Sequence, residues 1–178
     1  VMSNKFEILM NQLDMPLGMG NSEAFLNAEI EKVLVHKVSR VWEFHFSFED
    51  ILPVEIFREL QNRLAQEFSK TGNQAIFEIH CQTPQVSDEL LQAYYQLAFE
   101  EGPCASHGFK SLYQDLQVHL DGDKLLIEGA STIDTEHFRK NHLPNLSRQL
   151  VKYGFPHLTC QVQHSDELTQ QQAENFQA

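Results

Sequence analysis

The sequence contains 178 residues, of which 42% are hydrophobic and 21% are charged, as is typical of a globular protein with one domain or two small ones. Its 13 Lys and Arg against 25 Asp and Glu give a formal net charge of −12, which argues against a surface for nucleic-acid phosphates. No segment approaches the ~20 consecutive apolar residues of a membrane helix. The three cysteines, Cys81, Cys104 and Cys160, form no C-x-x-C pair, so we predict a cytoplasmic protein that makes no membrane contact.

The first predicted unit has the order helix, β-hairpin, helix and closing strand. Apolar residues at helical spacing predict a helix over residues 3–13, and a hairpin follows over residues 32–48. An amphipathic stripe over residues 56–68, stopped at Thr71-Gly72, predicts the next helix, and alternating apolar residues predict a strand over residues 75–81. This order gives a three-stranded sheet with helices on one face.

The second strand of the hairpin carries an aromatic ring at every second position, in the stretch RVWEFHFSF. Trp42, Phe44, Phe46 and Phe48 must share one face of a strand. Two interpretations fit this ladder: a platform on which nucleic-acid bases stack, or the core of an ordinary sheet. Because the amphipathic helix needs a partner for its apolar stripe, the pattern favours the core.

The hairpin register follows from a predicted turn at Ser39-Arg40. It sets Lys37 opposite Trp42, Val35 opposite Phe44 and Val33 opposite Phe46, so that the valines join the aromatic face. The opposite side of the hairpin, which we call the outer face, is a mixture of apolar and polar residues. In this register His36 lies across from Glu43, which predicts a cross-strand surface pair.

The second predicted unit repeats the order of the first. Ser87 is placed to cap a helix over residues 88–101, and Asp121-Gly122 marks a second hairpin turn. Asp134 is placed to cap a further helical region, which Pro144 divides into two helices with a break at Leu143-Pro144. A final strand covers residues 158–162.

The predicted fold class is therefore α+β, with two small sandwiches that each contain a helix, a β-hairpin, a helix and a closing strand. We assign residues 1–82 to the first domain and 86–165 to the second. Residues 166–178 are rich in Gln and Glu, which is typical of a linker or a surface helix.

No pattern of catalytic or metal-binding residues is recognisable in the sequence. Asp121-Gly122-Asp123 offers two carboxylates, but Asp-Gly is favoured at a hairpin tip for backbone reasons. The nine histidines form no H-x-H or i,i+4 pair, and His137 and His142 fall on different faces of a helix. Cys81 and Cys160 lie in predicted strands and are interpreted as small core residues. The sequence therefore predicts no catalytic residue, no metal ligand and no cofactor.

Four long stretches resemble the amino-terminal region of the PolC-type DNA polymerase III alpha subunit of low-GC Gram-positive bacteria. They are MSNKFEILMNQL, VWEFHFSFEDILPVEIFRELQNRL, YYQLAFEEGPCASHGFKSLYQDL and YGFPHLTCQVQHSDELTQQQAENFQA. The resemblance extends over essentially the whole chain, as continuous sequence rather than as a short motif.

This resemblance implies a long DNA-directed DNA polymerase with a 3′–5′ proofreading exonuclease, of which these would be the two leading domains. The first domain is similar, at family level, to the carboxy-terminal domain of the clamp-loader tau subunit, which has a truncated KH-like fold. The resemblance therefore implies two KH-like sandwiches, with replisome proteins such as the clamp loader or helicase-associated factors as partners. Magnesium and zinc would belong to the catalytic domains of the parent, whose acidic motifs are not in this chain.

We therefore expect a non-catalytic replisome interaction module. The outer face is more apolar than a free surface needs to be, and it supplies six candidate contact residues. They are Leu34, His36, Val38, Val41, Glu43 and His45. The alternative is a single-stranded nucleic-acid-binding module that helps to place the template. The G-x-x-G loop with which KH domains grip a nucleic-acid backbone is missing, which argues against that alternative. A free-standing enzyme is the third and weakest option.

Overall fold

The computed structural model describes residues 3–15, 21–101, 116–130 and 132–177. The chain divides into two compact units, Val1–Val86 with Val151–Pro156, and Ser87–Leu150 with His157–Ala178. Two stretches that the sequence predicts to end helices, Pro16 to Gly20 after the first helix and Gly102-Pro103 after the helix over residues 88–101, lie outside the described residues. No helix in the described ranges has the length and hydrophobicity needed to cross a membrane.

The first unit has the predicted order of helices and strands, with a further short helix before the hairpin. Its elements are α1 (Asn4–Gln12), α2 (Asn21–Ala24), β1 (Glu29–His36), β2 (Val41–Phe48), α3 (Val54–Ser69) and β3 (Gln74–Cys81). The sheet order is β1-β2-β3, with β1 antiparallel and β3 parallel to the central strand β2. Helix α1 begins after Ser3, whose Oγ accepts a hydrogen bond from the backbone N–H of Phe6 at 3.3 Å.

The aromatic ladder of β2 forms the core of this unit. Phe46 and Phe48 are fully buried and Phe44 is nearly so, whereas Trp42 is half-buried. The Phe6 ring of α1 lies 5.7 Å from the Phe46 ring and 5.5 Å from the Phe48 ring, in edge-on contacts. The interpretation of the ladder as core is confirmed.

Helix α3 packs its predicted stripe against the same face of the sheet. Phe57, Leu60 and Leu64 are buried, and the Phe57 ring lies 5.1 Å from the Phe77 ring of β3. The helix is followed by Gly72 at φ +71°, a left-handed conformation that glycine adopts without strain. The sequence signal for the end of this helix is therefore confirmed.

The predicted hairpin register is wrong by two residues. Val33 pairs with Phe44 and Val35 with Trp42, because the turn contains the four residues 37–40 rather than Ser39-Arg40 alone. Arg40 takes a left-handed φ of +58°, and its guanidinium donates to the carbonyl oxygen of Thr71 at 2.8 Å. A shift of two residues leaves every side chain on its predicted face. The valines therefore share the aromatic face, as predicted.

The second unit repeats the sheet of the first. Its elements are α4 (Asp88–Glu100), β4 (Gln117–Asp121), β5 (Lys124–Gly129), α5 (Thr132–Asn141), α6 (Leu143–Lys152), β6 (Thr159–His164) and α7 (Asp166–Gln177). The order is β4-β5-β6, again with an antiparallel hairpin and a parallel third strand. Asp121 pairs with Lys124, and Gly122 between them has φ +63° at the position where a tight hairpin turn requires glycine. The α+β class with two small three-stranded sheets is confirmed.

The helix boundaries of the second unit differ in part from those predicted from the sequence. The predicted cap at Asp134 is wrong, because α5 begins at Thr132 and Asp134 lies inside its first turn, where acidic residues are also common. The division into two helices is confirmed, but the break lies at His142 rather than at Leu143-Pro144, and Pro144 lies in the first turn of α6. Residues 166–177, for which a linker and a helix were both open, form helix α7 with a buried Leu168.

Candidate partner-contact face

The outer face of the first sheet is built from alternate residues of three strands. Side chains alternate between the two sides of a strand, so the paired outer residues form rows across the sheet. The rows are His36–Val41–Gln74, Leu34–Glu43–Ile76 and Lys32–His45–Glu78. Five of the six candidate contact residues lie on this face. The sixth, Val38, lies in the turn between β1 and β2, where its side chain is fully exposed.

Two exposed apolar side chains stand in the middle row. Leu34 is 40% exposed and Ile76 is 42% exposed, and the half-buried Glu43 lies between them. Sequence reasoning missed Ile76, although the inward alternation of Ala75 and Phe77 already placed it on the outer side of β3. The missing information was the parallel pairing of β3 with β2, which brings Ile76 beside the hairpin.

The third row holds a histidine between two carboxylates. Nε2 of His45 lies 3.0 Å from Oε2 of Glu43, and Nδ1 lies 2.8 Å from Oε1 of Glu78. The side chain of His45 is only 15% exposed. Both ring nitrogens of His45 therefore lie within hydrogen-bond distance of a carboxylate oxygen, and the contact with Glu78 joins β2 to β3. The predicted pair of His36 with Glu43 is wrong, because the shifted register sets Val41 opposite His36.

The charges of the outer face are mainly negative. Its three strands carry the acidic residues Glu31, Glu43 and Glu78 but only one lysine, Lys32. Oε1 of Glu31 lies 3.5 Å from Nδ1 of His80. Phosphate contacts come chiefly from Lys and Arg, so this face is poorly suited to a nucleic-acid backbone.

Two thiols and two neighbouring histidines lie among the described residues outside this face. Burial raises the pKa of the Cys81 thiol to about 12, and it also raises the pKa of Cys160. Cys81 is buried in the core as predicted, whereas Cys160 is only half-buried. Within residues 3–15, 21–101, 116–130 and 132–177, no three His, Cys, Asp or Glu side chains lie close enough together to hold a metal ion. The rings of His137 and His142 lie 5.5 Å apart, contrary to the sequence argument, because the helix breaks at His142 instead of continuing.

Comparison with known proteins gives matches over nearly the whole chain. The family model for the DNA polymerase III polC-type N-terminus I matches residues 5–79, and the model for N-terminus II matches residues 93–178. The DNA polymerase III PolC-type of Streptococcus sanguinis strain SK36 is 93% identical over 177 residues. Those of Streptococcus pneumoniae strain D39 and Streptococcus suis strain 98HAH33 are 61% and 49% identical over the same length.

The chain belongs to the PolC-type DNA polymerase III family. The alignments cover 99% of this chain but 12% of each of these three relatives, so it corresponds to the amino-terminal region of a PolC-type polymerase. The outer face lies largely within the part that matches N-terminus I. No solved structure matches the chain, and the KH-like character of the two sandwiches stays a prediction.

Proposed function

We propose that this chain is a non-catalytic interaction module at the amino terminus of a replicative DNA polymerase, and that its outer face binds another replication protein. In this proposal the partner is a clamp-loader subunit or a helicase-associated factor, and the complex acts in the cytoplasm. The parent carries DNA-directed DNA polymerase and 3′–5′ exonuclease activities, with their metal ions, in other domains. The exposed Leu34–Glu43–Ile76 row, on a chain that belongs to this family, is the observation that carries the proposal.

The composition of the outer face supports a protein partner. Protein interfaces combine an apolar centre with a polar rim. A single exposed apolar residue is common on any protein surface and does not indicate an interface, whereas neighbouring ones do. Here Leu34 and Ile76 lie on neighbouring positions across Glu43, while Lys32 and Gln74 lie in the flanking rows. The charged residues around them would determine the orientation in which a partner docks more than the strength of its binding.

Surface plasmon resonance with purified replication proteins tests the proposal. The immobilised chain is titrated with the clamp-loader tau subunit and with the replicative helicase, each from the same organism. Replacing Leu34 and Ile76 by Glu puts two charges into the apolar centre, so we expect at least about a tenfold weaker Kd, equivalent to ~1.4 kcal/mol.

Ile8→Glu is the matched control, because Ile8 is 50% exposed on helix α1 and lies on the opposite side of the sheet from the outer face. Its affinity should equal that of the unmodified chain, and all variants should keep the same thermal midpoint. Equal losses for the control and the double variant, or no loss for either, would contradict the assignment.

An oligonucleotide titration separates this proposal from the nucleic-acid alternative. The outer face should bind a single-stranded DNA probe no better than a control protein of equal charge. Micromolar binding that falls steeply with salt, and that disappears in the Leu34→Glu variant, would replace the interaction module by a template-placing module.

A further inference from the structure

Strand β1 is an edge of the first sheet and is exposed along nearly its whole length. All its residues except Ile30 are exposed, and its only strand partner in the described part of the chain is β2. The nearest other backbone contact is made before the strand begins, where the N–H of Ser3 donates to the carbonyl oxygen of Ala28 at 2.9 Å. An edge strand carries a row of backbone donors and acceptors that a further strand can pair with.

The two halves of this edge differ. The first half has the features that protect an edge from pairing: a register irregularity between Ile30 and Lys32, and the charged side chains of Glu29, Glu31 and Lys32. The second half has none of them. It presents exposed apolar side chains on both faces, with Val33 36%, Leu34 40% and Val35 45% exposed. The unprotected edge is therefore confined to residues 33–36.

The sequence of this half is complementary to itself in the antiparallel direction. If two copies pair about a two-fold axis at Leu34, the apolar residues face apolar residues and Glu31 faces the oppositely charged Lys37. The facing pairs are Leu34 with Leu34, Val33 with Val35, Lys32 with His36, and, just outside the paired strands, Glu31 with Lys37. The valine pairs fall on the inner face and the leucine pair on the outer face, so apolar residues meet apolar residues on both sides.

We propose that β1 pairs with β1 of a second copy of this chain about this axis, to give a continuous six-stranded sheet. The proposal concerns self-association and goes beyond the proposed function, because it uses the edge of the sheet rather than its outer face. Other β1 registers about a two-fold axis lose this match. An axis at Val33 sets Leu34 against Lys32 and Val35 against Glu31, and an axis at Val35 sets Leu34 against His36 and Val33 against Lys37.

A disulfide trap tests the register directly. In a chain with Cys104→Ser and Cys160→Ser, Leu34→Cys places two thiols on facing positions of the two copies. Facing residues of antiparallel strands have Cα atoms about 4.5–5.5 Å apart, within the range of about 4.4–6.8 Å that a disulfide needs. We expect a covalent dimer under mild oxidation for Leu34→Cys. Val38→Cys is the control, since its side chain is fully exposed but lies outside the paired residues.

Sedimentation velocity on the chain without cysteine substitutions provides the second measurement. Over a concentration series the unmodified chain should shift from monomer to dimer. Val33→Glu with Val35→Glu should raise the dimer Kd at least about tenfold, since all four valines of the two facing pairs become charged. Ile76→Glu leaves the edge intact and should dimerise normally, although we expect it to lose partner binding. That variant therefore separates this inference from the proposed function.

A charge swap completes the test. Glu31→Lys and Lys37→Glu should each weaken the dimer, because each sets like charges opposite one another twice, and the double variant should restore it. A monomer at every concentration, equal trapping of Val38→Cys, or a double variant no stronger than the single ones would overturn the proposal.

Discussion

Replacing Phe46 by Ala tests whether the aromatic ladder is the core of the first unit. The Phe46 ring is fully buried, and its centroid lies within 5.7 Å of the rings of Phe6, Phe44 and Phe48 and 5.5 Å from that of Phe77. Phe→Ala changes at such sites cost about 3–5 kcal/mol through lost burial and the cavity that remains. Because four ring contacts disappear together, we expect a value in the upper half of that range, about 4–5 kcal/mol.

Urea denaturation followed by tryptophan fluorescence measures this cost in the first unit alone. The chain has one tryptophan, Trp42, and its ring lies 5.3 Å from the Phe68 ring of helix α3. This probe keeps the unfolding of the second unit out of the signal. The matched variant is Val35→Ala on the same face, which is 45% exposed and should cost less than about 1 kcal/mol. If Phe46→Ala lowered the free energy of unfolding no more than Val35→Ala does, the core assignment would be refuted. A simultaneous loss of oligonucleotide binding would point to the base-stacking interpretation instead.

Three further predictions follow from the backbone and from the titrating groups. Gly154→Ala should destabilise the first unit by about 1–3 kcal/mol in the same fluorescence assay, because φ is +109° and the added Cβ would lie 2.7 Å from the Sγ of Cys81. Gly72→Ala is the control and should destabilise the unit less, because its φ is +71° and its added Cβ would make no contact shorter than 3.5 Å. The Cys81 thiol has a pKa of about 12 against an ordinary 9.0, so its thiolate fraction is about a thousandfold lower than that of an exposed cysteine, and a thiol reagent at pH 8 should modify it only after urea is added. Rapid labelling of Cys81 in the folded chain, located by peptide mass spectrometry, would contradict its burial. Burial and the neighbouring His137 lower the pKa of His142 below 6.5 in the folded chain, so the unfolded chain binds a proton at this ring first and the free energy of unfolding should fall as the pH drops through 6.5. An NMR titration measures the pKa of this ring in the folded chain, and a His142→Gln variant whose stability depends on pH as steeply as that of the unmodified chain would refute the prediction.

The order of elements was predictable because each element of the fold has a local signal. The stripe of α3, the alternation of β2 and the Asp-Gly turn after β4 are each set by residues close in sequence, and each was confirmed. The burial of the β2 rings was also predictable, since a stripe on one element requires an apolar partner on another.

The hairpin register was not predictable, because it depends on a contact made far along the chain. Arg40 in the turn donates to the carbonyl oxygen of Thr71, and the N–H of Gln74 donates to the carbonyl oxygen of Arg40 at 2.9 Å. These contacts hold a four-residue turn with a left-handed arginine, which the local sequence does not favour. The candidate site changed with the register, since His36 and Glu43 separated.

The members of the candidate site on β3 were missed for a similar reason. Ile76 and Glu78 lie on the correct side of β3 by simple alternation, but only the parallel pairing with β2 brings them beside Glu43 and His45. Parallel neighbours are joined through a helix, so no turn signal fixes which residues face one another.

Methyl NMR of the isotope-labelled chain tests the central claim most directly. The purified clamp-loader tau subunit and the replicative helicase are added in turn, and single-stranded DNA is added in a separate titration. We predict that one of the two proteins shifts the methyl signals of Leu34, Val41 and Ile76, while those of Ile8 stay in place and DNA shifts none of them. Shifts centred on Ile8, or shifts at the outer face caused by DNA alone, would contradict a protein-binding role for this face.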